Sequence, residues 1–278
     1  MLLYFIQYTQ ICFFTPLVNI SKKIPTFAIL LTGQLIFMDL TYLRNRILFL
    51  FLFLLCFVPS IKADVYLVSV GISDYPGTSS DLSLPAKDAQ AISSLYKTNN
   101  KAHVSLLLNE RATKDAIIQQ MKTLFSKAGK DDIVVLFFSG HGAPGAFCAY
   151  DGSLMYSDIR KAMSGTKCTN KMIFADACFS GKIRENKRSG QNNKMNIMLF
   201  LSSRSDEVSI ESPSMNNGYF TSCLLRCLKG GSDSNRDKVI TARELFTGVR
   251  DGVIELSNDR QHPVMWGNFR DDMPVMRW

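Results

Sequence analysis

Two apolar runs in the middle of the chain end alike. Ile133 to Gly142, IVVLFFSGHG, and Met172 to Gly181, MIFADACFSG, each stop abruptly at small residues plus one reactive side chain, His141 in the first and Cys178 in the second. That is how a buried parallel strand ends at an active-site edge. The pattern predicts further elements around them. Asp64 to Gly71 is a β-branched apolar run read as a first strand, and Pro85 to Lys97 places Ala86, Ala89, Ile92 and Leu95 at helical spacing. His103 to Leu108 reads as a strand, and Thr113 caps a helix through Ala128 that stops at Gly129. A hairpin through Tyr150 and Met155, a short helix Ser157 to Met163 and a strand Asn196 to Ser202 come next. Asn217 to Leu228 and Thr241 to Leu256 are the last helices, with the loop GGSDSNRD between them, and Gln261 to Trp266 is an edge segment where Pro263 is tolerated. Alternating strands and helices imply right-handed crossovers and an α/β fold whose mainly parallel sheet is covered on both faces.

In such a sheet ligands gather at the carboxyl ends of the strands, so a His and a Cys leaving neighbouring tips face one crevice as base and nucleophile. A lone cysteine more often just fills space. Here the glycines decide between the readings: Gly140 and Gly142 flank His141, Gly181 follows Cys178, and glycine permits close backbone approach to a substrate.

SGHG followed by DACFSG resembles the caspase-like cysteine peptidases, and the aspartate two before the cysteine resembles the metacaspase type. GISDY at Gly71 to Tyr75 and LPAKDA at Leu84 to Ala89 are similar to the family's opening, so the resemblance covers residues 64–278. It implies a caspase-like three-layer sandwich and an endopeptidase that cleaves after Arg or Lys through a His141–Cys178 dyad. It also implies an oxyanion hole from the Gly142 and Cys178 amides, and a specificity pocket lined by Asp88, Ser139 and Asp176. No third catalytic residue is evident. The loop Lys182 to Lys194, KIRENKRSGQNNK, follows the nucleophile, and a self-processing cut after Lys187 or Arg188 is expected there. A catalytically silent interaction module, or a peptide ligase using the same acyl-enzyme, are the alternatives. No cofactor and no metal is expected: calcium-binding metacaspases carry an acidic cluster after the histidine, where this chain has only Asp151 and Asp158. His103 and His262 read as structural.

Composition adjusts this picture at the N-terminus. Of the formal net charge of +8 on 278 residues, about half belongs to residues 1–63; the remainder is a mildly basic globular surface, with no nucleic-acid partner expected and protein or peptide substrates with basic residues as partners. After Arg44 and Arg46, the apolar run Ile47 to Val58 is of signal-peptide length and short of the roughly 20 residues that span a bilayer. Residues 1–63 therefore read as an export region, with a signal peptide at 38–63 cleaved after Ala63; an uncleaved membrane anchor is the alternative. Past it lie five cysteines, Cys148, Cys168, Cys178, Cys223 and Cys227, of which an exported protein can pair four and leave Cys178 free. For Cys223 and Cys227, buried packing is the better reading.

Overall fold

A computed structural model describes residues 26–31, 34–39, 44–46, 63–177, 197–204 and 215–277. It divides into two units, Met1–Lys62 and Ala63–Trp278. In the first, β1 (Thr26–Leu31) pairs antiparallel with β2 (Gln34–Asp39), a hairpin that a run without polar alternation does not announce.

The second unit is built on a six-stranded sheet. Its strands are β3 (Val65–Gly71), β4 (Ala102–Leu108), β5 (Ile133–Ser139), β9 (Asn170–Asp176), β10 (Ile197–Leu201) and β12 (Val264–Trp266), in the order β12-β10-β9-β5-β3-β4. Five are parallel, and only the edge strand β12 runs antiparallel to its neighbour. Parallel strands covered on both faces need apolar side chains on both, which is why β3 and β5 read as unbroken apolar runs and are buried at every position. Val65, Leu67, Val135, Phe137, Met172 and Phe174 face one layer of helices, and Tyr66, Val68, Leu136, Phe138, Ile173 and Ala175 face the other.

The first layer holds α1 (Pro85–Lys97), α4 (Tyr219–Arg226) and α5 (Ala242–Ser257). The second holds α2 (Lys114–Phe125) and α3 (Tyr156–Ser164). The molecule is thus a three-layer α/β sandwich with a mainly parallel central sheet. Local chemistry sets the helix starts. Pro85 supplies the fixed φ that suits the first helical position. Thr113 Oγ1 accepts from Ala116 N at 3.3 Å, and Thr241 forms a capping box with Glu244. The second helix stops at Phe125, short of the expected Ala128; after Arg226 the chain widens into a π-helical stretch, Cys227–Gly231, ended by Gly230 at φ 100°.

Smaller sheets finish the unit. β6 (Gly142–Ala143), β7 (Ala146–Ala149) and β8 (Gly152–Met155) form the expected hairpin region as a three-stranded meander. β11 (Val239–Thr241) pairs antiparallel with β13 (Pro274–Arg277). Cys148, Cys168, Cys223 and Cys227 are all free, so the pairing of four cysteines does not form among the described residues. Cys168 Sγ instead lies 2.8 Å from the Asp132 carbonyl, and Cys223 and Cys227 are buried where α4 meets Gly252 and Gly248 of α5.

Candidate active site

Parallel register sets the site. Gly71 pairs with Ser139, and Ser139 with Asp176, so the last residues of β3, β5 and β9 stand in one row. Ladder-like bonds carry the row one step further, from Ile72 N to Ser139 O at 3.1 Å and from Gly140 N to Asp176 O at 3.2 Å. His141 lies two residues beyond Ser139 and Cys178 two residues beyond Asp176. Cys178 itself, with Lys187 and Arg188, lies outside the described residues. Its predecessor Ala177 is buried and held at both backbone groups by one side chain: Ser202 Oγ accepts from Ala177 N at 3.2 Å and donates to Ala177 O at 3.3 Å.

His141 is fixed at three points. Its N–H donates to the Tyr75 hydroxyl at 2.9 Å, its carbonyl accepts from Cys148 N at 2.9 Å, and Nε2 lies 2.8 Å from the Ser80 carbonyl. A carbonyl only accepts, so Nε2 carries a proton and Nδ1 is the nitrogen left for proton exchange. Ser80, which supplies this backbone acceptor, was not among the residues that the sequence singled out. Gly142, next in the chain, opens the meander opposite Phe147 and is half-buried.

Asp88, Ser139 and Asp176 come together, all buried. Ser139 Oγ donates to Asp88 Oδ2 at 2.9 Å, and Asp88 Oδ1 accepts from Asn217 Nδ2 at 2.8 Å and Gly218 N at 3.1 Å. Asp176 Oδ2 accepts from Thr221 Oγ1 at 2.7 Å and Thr221 N at 3.2 Å. A Cβ placed on Gly218 would sit 2.8 Å from Asp176 Oδ2 and 3.5 Å from Asp88 Oδ2, so both carboxylates border the same small volume. Burial, and then the neighbouring Asp176 carboxylate, push Asp88 well above the usual carboxylate range, against the opposing pull of its bonds from Asn217, Ser139 and Gly218. Asn217, Gly218, Thr221 and Ser202 carry no motif, and only the tertiary fold brings them here.

The other histidines stand apart. His103 stacks on Tyr66 and lies 3.1 Å from Asp64, and His262 lies 2.9 Å from Asp259.

Comparison with known proteins agrees with this architecture. The family model described as the caspase domain matches residues 66–274, while no curated protein matches the chain. Among solved structures, protein GSU0716 from Geobacter sulfurreducens superposes with a TM-score of 0.59 at 16% identity, over 77% of this chain and 97% of that one, a likeness of fold. The family match runs from the first strand of the sheet to the last strand of the chain and takes in both sheet tips, and on that ground this chain belongs to the caspase-domain family of cysteine peptidases.

Proposed function

We propose that the protein is an exported endopeptidase that cleaves after Arg or Lys, with Cys178 as nucleophile and His141 as its base. The observation that carries this is the Ser139–Asp176 register, which starts the two reactive residues from adjacent strand tips, two residues on, beside a pair of buried carboxylates. The Cys178 thiol gives its proton to His141 Nδ1, and the thiolate attacks the substrate carbonyl carbon. The Gly142 and Cys178 amides receive the oxyanion. His141 then hands the proton to the leaving amine, and water hydrolyses the thioester to return the free thiol. Asp88 and Asp176 receive the substrate's basic side chain, with Ser139 bracing Asp88.

The test is a panel of fluorogenic peptides with Arg, Lys, Asp or Asn before the scissile bond, measured on wild type, Cys178→Ala, His141→Ala and the double variant. Basic substrates are cut, each single variant is inactive, and the double variant is no worse than either, because the pair acts as a unit. Substantial turnover by Cys178→Ala overturns the reading. We expect the chain to cut itself after Lys187 or Arg188; a wild type that stays intact while fully active contradicts this.

Calcium is the one metal the family resemblance raises. Asp151 does not suit it, since its Oδ1 is taken by Lys114 N at 2.7 Å, and among the described residues no three His, Cys, Asp or Glu side chains converge as metal ligands. The donor spacing fits better at Asp233, Asn235, Asp237, the Val239 carbonyl, Thr241 and Glu244, whose carboxylates here bond within the stretch instead of converging. These occupy positions one, three, five, seven, nine and twelve of a stretch that leads into α5, the spacing of an EF-hand loop. The sixth position, glycine in such loops, is Lys238 at φ 66°. Calcium there would tie α5 to the stretch before it and take no part in the chemistry. It should raise Tm in wild type and not in Glu244→Gln, with activity retained in chelator; equal Tm with and without calcium contradicts the assignment.

A further inference from the structure

Tyr75 is buried behind the turn that carries His141, and it touches that turn from several directions. Its hydroxyl accepts from His141 N at 2.9 Å and donates to the Cys148 carbonyl at 3.1 Å, which joins the histidine to the second strand of the meander. Its ring centroid lies 4.9 Å from that of the imidazole, with the planes 44° apart. Burial raises its hydroxyl well above the usual tyrosine range, so it keeps the proton that the Cys148 bond uses.

The backbone of the same residue reaches the other side of the imidazole. Tyr75 N donates to Asp81 Oδ1 at 3.1 Å, and Leu82 N donates to Ser73 O at 2.8 Å. These two bonds close the loop between β3 and α1, and Ser80, whose carbonyl meets His141 Nε2, is the residue before Asp81. Tyr75 therefore braces both ends of the Nε2–carbonyl bond: the histidine through its hydroxyl, and the acceptor through its amide. Gly140 records how close the hydroxyl comes. It adopts φ 154°, and a Cβ there would lie 2.7 Å from the tyrosine oxygen.

We propose that Tyr75 is a positioning residue that sets the aim of the His141 imidazole without touching substrate. The inference rests on His141 being the base. An imidazole that keeps its place on average but loses its fixed angle exchanges a proton with Cys178 less often, and small misplacements of a catalytic group cost large factors in rate. Substrate binding through Asp88 and Asp176 is untouched, so the loss falls on kcat and not on KM. A tyrosine that merely fills space would show no such split.

Tyr75→Phe keeps the ring and removes the hydroxyl. Its expected behaviour is a kcat lower by about 10-fold on an Arg substrate, with KM within about twofold of wild type and slower alkylation of Cys178 by iodoacetamide. A wild-type kcat, or a loss confined to KM, overturns the inference. Should Tyr75→Phe fail to fold, Asp81→Ala, at an exposed position, must show the same kcat-only loss, because it frees the segment that presents the Ser80 carbonyl. His141→Ala in the same assay separates the two levels. Activity lost there and kept in Tyr75→Phe overturns only the positioning role, whereas activity kept in His141→Ala overturns the base assignment and this inference with it.

Discussion

A buried carboxylate costs free energy unless something offsets the loss of water, and Asp88 is offset by three neutral donors and faced by a second carboxylate. The folded chain therefore gives up the proton of this group at higher pH than the unfolded chain does. Its contribution to stability is complete below about pH 4 and is lost as pH rises through the raised value in the folded state. Asp88→Asn should remove that slope and raise stability at neutral pH, measured as urea midpoints from pH 4 to 8; a midpoint that falls at pH 7 would mean the carboxylate is better compensated than its partners suggest. For catalysis the direction reverses. Removing a buried charged contact costs roughly 1.5 to 3 kcal/mol, so Asp176→Asn should lower kcat/KM on Arg substrates by at least about 10-fold. An unchanged value would remove Asp176 from the pocket. The convergence of Asp88, Ser139 and Asp176, and the place of His141 just past the tip of β5, were legible in the sequence because short motifs carry these residues. Ser80 was not, since it contributes a backbone carbonyl that any residue supplies. Nor were Asn217 and Gly218, which meet Asp88 across 129 and 130 residues.

At the scale of elements, the tips of β5 and β9 and the start of α4 bring Ser139, Asp176 and Gly218 together with Asp88 of α1. Gly218 precedes the first turn of α4 and leaves the space its side chain would fill, 2.8 Å from Asp176. Gly218→Ala should block basic substrates while leaving Tm within a few degrees of wild type; full activity would show that the pocket opens elsewhere. The capping box at α5 is separable from the site, and Thr241→Ala should cost about 1 kcal/mol of stability with activity kept. Among the described residues of the second unit periodicity located the five α-helices, and α1 matches its expected limits, because each presents an apolar stripe to one face of the sheet. It missed the β11–β13 pair: β11 is three residues long, and its partner lies at the other end of the last helical segment, so no local pattern marks it. The β1–β2 hairpin was missed because neither strand alternates apolar with polar residues.

At the scale of the whole molecule, the second unit begins at Ala63, and the export reading expects the mature chain to begin at Asp64. Asp64 N donates to Asp132 Oδ1 at 2.9 Å, so an amine freed by cleavage after Ala63 would bring a positive charge to a waiting carboxylate. Mass spectrometry of the secreted protein should find Asp64 first; a chain that retains residues 38–63 would favour the anchor. Among the described residues no helix is long and apolar enough to cross a membrane. The central claim, a nucleophile at one strand tip served by a cation-accepting pocket beside it, is tested most directly by covalent capture. A peptide chloromethyl ketone ending in Arg loses chloride as a thiolate attacks it, which leaves a thioether that peptide mapping locates. The account predicts one adduct per chain, on Cys178, absent in His141→Ala, reduced in Asp176→Asn and absent when the probe ends in Asp. An adduct on Cys148 instead, or equal capture of the Arg and Asp probes, would contradict it.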